Sequence, residues 1–267
     1  MKLGACTMHV FQLHPTPHSA IIASMDKETT EKLLALNREF YATFARPFAG
    51  SRPVSDPALV SILPHIPQRA RALDVGCGNG RLAALLDQER PGSIYLGVDA
   101  VPELVELARA QADHLTTISA EFRVADITRT GWSGSLPDMP FDCAAVLAVL
   151  HHIPGFDLRV QVLRESASLL EPDGCLILST WQFLDNARMR RKIVDWAEVD
   201  IAIKSLEPGD YLLDWKRDGC GLRYCHLVDE AELKRLAAES SLRVRETFRA
   251  GGREGNLSLF AVLDRNP

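Results

Sequence analysis

Leu73-Asp74-Val75-Gly76-Cys77-Gly78-Asn79-Gly80 is the stretch on which the fold turns. Arg71 to Val75 reads as a short apolar strand, and Arg81 to Gln88 as a helix. The three glycines therefore stand in a strand-to-helix turn, the setting a nucleotide-binding loop requires. Glycine there lets the backbone take positive φ and lets a ligand lie close to the main chain. The spacing is GxGxG, whereas a dinucleotide fingerprint is GxGxxG, and Arg81 stands where the third glycine of that fingerprint would be. This argues against NAD and against a pyrophosphate docked on the helix.

Outward from the turn the chain alternates. Ile94 to Val98 reads as a strand, Pro102 to about Ala112 as a helix, and Glu121 to Ala125 and Phe141 to Ala148 as strands. A helix from Asp157 to Leu170 should stop at the breaker Glu171-Pro172-Asp173-Gly174, before a strand from Cys175 to Thr180. Short apolar strands alternating with helices predict a parallel sheet covered on both faces. Upstream, Asp26 can cap a helix carrying Leu33, Leu36, Phe40 and Phe44 on one face. A proline- and glycine-rich loop spans Pro47 to Pro57, and a short helix follows from Ala58 to Leu63. Downstream the alternation lapses between Trp181 and Leu227, a stretch too long for a plain loop. It resumes with Asp229 as a helix cap and Glu232 in the capping-box position. Strands Leu242 to Phe248 and Asn256 to Leu263 close the chain around a hairpin-like loop.

Two aspartates sharpen the loop's meaning. Asp99 ends the second strand, where a carboxylate can accept from both ribose hydroxyls. Asp126 ends the third and is followed by Ile127, a pairing suited to an adenine amino group and ring face. Asp74 can orient the loop or meet an ammonium group. Together with Gly76, Gly78 and Gly80, and with Ala100 and Ala148 beside strand ends, they imply a mononucleoside ligand with a polar tail and no phosphates.

Composition narrows the remaining classes. The chain has 267 residues, 46% hydrophobic and 24% charged, and a net charge of −5, which suits an ordinary globular protein and not a strongly basic nucleic-acid binder. No uninterrupted apolar run reaches the length of a membrane span. Six cysteines are spread singly, as in a reducing cytoplasm. Cys220, Cys225 and His226 lie close together but lack further ligands at zinc spacing, so no metal is expected. Residues 1–25 read as a flexible tail, or as translated leader before Met25, and residues 26–267 as a single domain with an insertion at about 182–227.

The glycine motif, Asp99, Asp126, Phe141-Asp142, Leu150-His151-His152-Ile153 and Leu170-Glu-Pro-Asp-Gly174 resemble the class I S-adenosylmethionine-dependent methyltransferases. The resemblance implies S-adenosylmethionine as cofactor. It also implies a Rossmann-like α/β fold, with a seven-stranded sheet, helices on both faces and an antiparallel last strand. Methyl transfer is an in-line displacement, so the protein chiefly positions nucleophile, methyl and sulfur.

The flanks resemble a narrower family, the tRNA wobble-uridine carboxymethyl methyltransferases. The residues concerned are Phe40-Tyr41 to Phe48 with Ser51-Arg52, Tyr211 to Trp215-Lys216, Arg223-Tyr224-Cys225-His226, and Gly255-Asn256-Leu257. Cys225 and Leu257 stand where that family carries aromatics. The resemblance implies Arg52 as the cation holding an acceptor carboxylate and His151 at the active-site floor, while His152 reads as a packed residue. It implies Tyr41, Trp181, Trp215, Lys216, Arg223, Tyr224 and Asn256 as substrate contacts. tRNA and a small zinc-binding activator subunit are the implied partners. The cationic run Arg188, Arg190, Arg191 and Lys192, with aromatics around it, is either an RNA-facing patch or a solvated helix face. Two alternatives stay open: a methyltransferase for a small carboxylate or phenolic metabolite, and a non-catalytic subunit that kept the fold.

Overall fold

A computed structural model describes residues 25–51, 56–137 and 139–266. Helix α1 (Lys27–Thr43) starts at the Asp26 cap, whose carboxylate accepts the Thr29 N–H at 2.8 Å. The short helices α2 (Ala45–Ala49) and α3 (Pro57–Val60) follow. The α/β alternation then runs β1 (Arg71–Val75), α4 (Arg81–Glu89), β2 (Ile94–Asp99), α5 (Pro102–Ala112), β3 (Ser119–Val124), β4 (Phe141–Leu147), α6 (Phe156–Ser168) and β5 (Leu170–Trp181). The insertion holds α7 (Ala187–Arg190), β6 (Ile193–Val194), β7 (Asp210–Trp215) and β8 (Gly221–His226). The chain ends on α8 (Glu230–Glu239), β9 (Leu242–Ala250) and β10 (Ser258–Arg265).

The main sheet has seven strands in the order β3-β2-β1-β4-β5-β10-β9. It is parallel except that β10 runs antiparallel to both of its neighbours. Period-two alternation sends side chains of each strand into two cores. Leu73, Val75, Val146 and Leu178 join α6 and α8 through Val160, Leu163, Leu233 and Leu236. Ala72, Cys143 and Ile177 join α3, α4 and α5 through Leu59, Leu82, Leu86 and Val105. Strand order reverses between β1 and β4, and the crevice at the carboxyl ends of such a sheet is where ligands bind.

Three sequence expectations need correction. The helix read from Ala58 to Leu63 is instead α3, ending at Val60, with a separate 3₁₀ turn over Leu63–His65. The breaker Glu171 to Gly174 lies within β5: Leu170 pairs with Phe141 and Cys175 with Cys143, so the extra residues form an irregularity in the strand. Asp229 caps α8 by accepting the Glu232 N–H at 2.8 Å, but the Glu232 carboxylate does not close the capping box; it is drawn to His226 and Arg159 instead.

The insertion forms its own antiparallel sheet, β6-β7-β8. It packs on α1 through Leu33, Leu212 and Tyr224 and through Phe40, Phe44 and Trp215. Helix α1 is thus wedged between this sheet and the crevice. No helix among the described residues is long and apolar enough to cross a membrane.

Candidate active site

The crevice encloses about 1120 Å³ including its open mouth, and its walls include Asp74, Gly76, Gly78, Asp99, Ala100, Asp126, Ile127 and Ala148. Gly80 is not among these wall residues; at φ +81 it caps α4. Gly76 takes φ +79, and a Cβ there would lie 2.3 Å from a methyl of Val149, so the loop can pass only as glycine. A Cβ on Gly78 would meet nothing within 4 Å, so the main chain there lies open to a ligand. The Asp99 carboxylate accepts the Gly78 N–H at 2.9 Å on one oxygen and the Val101 N–H at 3.0 Å on the other. Each oxygen keeps a lone pair free for a ribose hydroxyl. Burial raises the pKa of Asp99, and the same backbone N–H groups work against that rise. Ala148 holds φ +56, a left-handed conformation that turns the chain out of β4 onto the crevice floor.

Asp126 lies at the mouth. One of its oxygens accepts from Thr128, and the other meets the Arg38 guanidinium of α1 at 2.9 Å. Arg38 and Asn37, also on the wall, were not singled out in the sequence. The available signal was their position one helical turn before Tyr41, on the same face of α1.

The two adjacent histidines are both buried, and His152 is packed and hydrogen-bonded as the sequence implies, yet it is His152 and not His151 that reaches the crevice wall. His151 is fully buried and is not a wall residue; its Nδ1 faces the Trp181 N–H at 3.4 Å. His152 lines the crevice. Its Nδ1 lies 3.0 Å from the Tyr224 carbonyl and its Nε2 lies 2.7 Å from the Tyr41 hydroxyl. A carbonyl only accepts, so Nδ1 carries a proton, and in the neutral ring Nε2 accepts from Tyr41. Asn37 holds the pair together, donating to the carbonyls of His152 at 3.1 Å and Tyr224 at 3.2 Å and accepting the Tyr224 N–H at 2.8 Å.

The other substrate residues read from the sequence scatter. Arg52 lies outside the described residues. Tyr224 is buried, its hydroxyl donating to Asp210 at 2.7 Å, and Trp181, Trp215 and Arg223 are buried as well. Trp215 and Tyr224 are core residues of the insertion and Trp181, at the end of β5, packs against it, so these rings offer no open faces on which splayed bases could stack. Lys216 is exposed and pairs with Asp214 at 2.7 Å. Asn256 sits in the β9–β10 turn, its carbonyl 3.3 Å from Arg249 and away from the crevice walls.

Residues 51–247 match the family described as "Methyltransferase domain". The chain belongs to the methyltransferase-domain family. Among curated relatives, a ubiquinone biosynthesis O-methyltransferase of Xanthomonas campestris pv. campestris is 34% identical over 111 residues, 42% of this chain and 43% of that protein. A tRNA (carboxymethyluridine(34)-5-O)-methyltransferase of Mus musculus is 26% identical over 170 residues, 64% of this chain and 23% of that protein. The methyltransferase domain thus matches less than half the length of either relative. A solved S-adenosylmethionine-dependent methyltransferase from Methanosarcina mazei shares its fold, with a TM-score of 0.61 at 23% identity over 77% of this chain and 97% of that one. The site of the methyltransferase domain suits S-adenosylmethionine: Asp99 offers both oxygens to a ribose, and the open main chain at Gly78 leaves room for the nucleoside.

Proposed function

We propose that the protein transfers the methyl group of S-adenosylmethionine to a hydroxyl oxygen of a small phenolic acceptor. The observation that carries this is the Tyr41–His152 pair at the acceptor end, 2.7 Å apart, with the other imidazole nitrogen fixed by the Tyr224 carbonyl. S-adenosylmethionine, when bound, supplies an electrophilic methyl on a sulfonium. The chain's own part is to make and aim the nucleophile. The acceptor hydroxyl gives its proton to the Tyr41 oxygen as Tyr41 passes its own to His152 Nε2. Asn37 and Tyr224 keep the imidazole in the orientation this relay needs, and Arg38 of α1 reaches over the mouth to Asp126.

A second reading is esterification of a carboxymethyl group on tRNA. The mouse relative supports it, since its alignment covers 64% of this chain where the ubiquinone-pathway relative covers 42%. A carboxylate is ionised at neutral pH and needs no base, so the two readings differ in pH dependence and in product. Incubation with labelled S-adenosylmethionine and either a phenol pool or total tRNA decides between them. The phenolic reading expects an alkali-stable methyl ether, a rate that rises from acid towards neutral pH, and a Tyr41→Phe loss of roughly 100-fold in kcat. Label in tRNA, released by mild alkali and formed at a rate flat in pH, overturns it.

A further inference from the structure

Five non-glycine residues take positive φ among the described residues, and of these Ala148 alone lines the crevice. A Cβ makes the left-handed conformation costly, and such strain persists only where the surroundings impose it. Here the imposing residue is Ser179 of β5. The Ala148 N–H donates at 3.0 Å to the Ser179 carbonyl and at 3.0 Å to the Ser179 hydroxyl oxygen. The carbonyl bond continues the β4–β5 ladder, in which Leu147 pairs with Ser179. The hydroxyl bond is an addition that no apolar side chain could make. Ser179 is 3% exposed, and strand alternation puts it on the face by which Ile177 joins α3, α4 and α5. An apolar side chain would suit that setting, since a buried hydroxyl costs stability unless it is bonded. Ser179 itself does not reach the crevice wall.

The turn that Ala148 opens joins the two halves of the site. Next in the chain, Val149 fills the space beside Gly76, a methyl carbon 2.3 Å from where a Cβ would stand. A 3₁₀ turn over Leu150–His152 follows, closed by the His152 N–H on the Val149 carbonyl at 2.8 Å. That turn delivers His152 Nε2 to the Tyr41 hydroxyl. The end of β5 grips the same segment a second time, where the Trp181 N–H meets His151 Nδ1 at 3.4 Å. The backbone angle at Ala148 therefore sets where His152 stands relative to the glycine loop. Returned to the extended region, Ala148 would swing Val149 off Gly76 and draw His152 away from Tyr41.

We propose that Ser179 is the positioning residue of the Tyr41–His152 pair: its hydroxyl holds Ala148 left-handed, and the turn so fixed sets the pair against the cofactor loop. This rests on the phenolic reading above and deepens it. Two measurements on the full chain test it. The first needs no turnover and follows the ¹⁵N resonance of His152 Nε2 in the complex with S-adenosylhomocysteine, assigned by its loss in His152→Gln. Tyr41→Phe marks where that resonance lies once the hydrogen bond is gone. Ser179→Ala should move it towards that position. Adding Ala148→Gly, which takes positive φ freely, should bring it back. The second measurement is methyl transfer to catechol. Ser179→Ala should lower kcat roughly tenfold, the scale of one hydrogen bond, with KM for S-adenosylmethionine within about twofold of wild type. Adding Ala148→Gly should recover most of that loss, and in a Tyr41→Phe background Ser179→Ala should cost little more. If Ser179→Ala does not fold, Ser179→Cys keeps the side chain's shape with a weaker acceptor and should shift the resonance and kcat in the same directions. A His152 resonance unmoved in the folded variant, or a kcat loss undiminished beside Tyr41→Phe, overturns the assignment. A resonance that moves and returns as expected, with no methyl transferred to catechol, upholds Ser179 as positioning the pair and removes the phenolic reading instead.

Discussion

Asp74 ends β1 almost fully buried, its carboxylate accepting the Tyr95 hydroxyl at 2.6 Å. Burial lifts its pKa to about 7; the Tyr95 bond opposes that rise and the neighbouring Asp99 charge adds to it. A folded-state pKa above the unfolded value means the native state holds the proton more tightly, so its contribution to stability is full below about 4 and is lost as pH rises through about 7. Asp74→Asn removes a charge that the fold disfavours at alkaline pH, so it should raise the Tm of the ligand-free protein more at pH 8 than at pH 5. Equal shifts at both pH values would mean that Asp74 does not titrate in that range. Burial raises the pKa of Asp99 as well, but its carboxylate is braced by two backbone N–H groups that work against the rise. Asp99→Ala should weaken S-adenosylhomocysteine binding by at least roughly 100-fold, because two charge-assisted bonds of about 1.5–3 kcal/mol each are lost; an unchanged calorimetric affinity would remove it from the ribose site. Both aspartates were legible in the sequence because the end of a β-strand before a turn fixes where a side chain sits. Which of His151 and His152 lines the crevice was not, since one residue of a 3₁₀ turn decides it and the partners of His152, Asn37 and Tyr224, lie 115 and 72 positions away in the chain.

Helix α1 shows how far an amphipathic pattern carries. Its cap and the apolar positions Leu33 and Phe40 emerge as the sequence implies, both buried against the insertion. The polar positions Asn37 and Arg38 make its cross-links, one tying it to His152 and β8, the other to Asp126 beside the crevice. The Arg38 side chain is half exposed, so its ion pair contributes at most about 1 kcal/mol to stability. It still fastens the helix to Asp126 on the crevice wall. Arg38→Met is therefore expected to leave the Tm within a degree or two while speeding S-adenosylhomocysteine release several-fold in a displacement experiment. An unchanged release rate would mean that α1 does not gate the crevice. The insertion was legible only as a break in the alternation. Its strands are short, β7 carries two aspartates, and β8 is held from outside the insertion by Asn37 of α1, 187 positions away.

The insertion is joined to the main sheet through one buried ionic network. His226 of β8 lies 2.6 Å from Asp210 through Nδ1 and 2.8 Å from Glu232 of α8 through Nε2. Arg159 of α6 bridges Glu207 and Glu232, and Tyr224 donates to Asp210. Glu207, Asp210 and His226 place ligand-type atoms within 4.8 Å of one another. Arg159 already meets Glu207 and Tyr224 meets Asp210, so both carboxylates of this cluster are held by ion pairs and hydrogen bonds. With three carboxylates against Arg159, a protonated imidazole brings the network nearer to balance and lets both ring nitrogens donate. Burial and the Arg159 charge both lower the pKa of His226, but its bonds to Asp210 and Glu232 outweigh them and the net shift is upward from 6.5. The native state thus binds this proton more tightly than the unfolded chain, so the stabilisation is fully present below about 6.5 and falls away as pH rises through the higher folded value. Each pH unit crossed in that window costs up to about 1.4 kcal/mol. Between pH 7 and 9 the wild-type Tm should fall more steeply than that of His226→Gln, which is less stable at pH 7 but lacks the titrating group. Losing the proton also leaves three acids against one arginine at the joint. Protease cleavage within 182–227 should therefore quicken with pH in the wild type, and parallel melting curves with pH-independent cleavage would show that the histidine is neutral throughout.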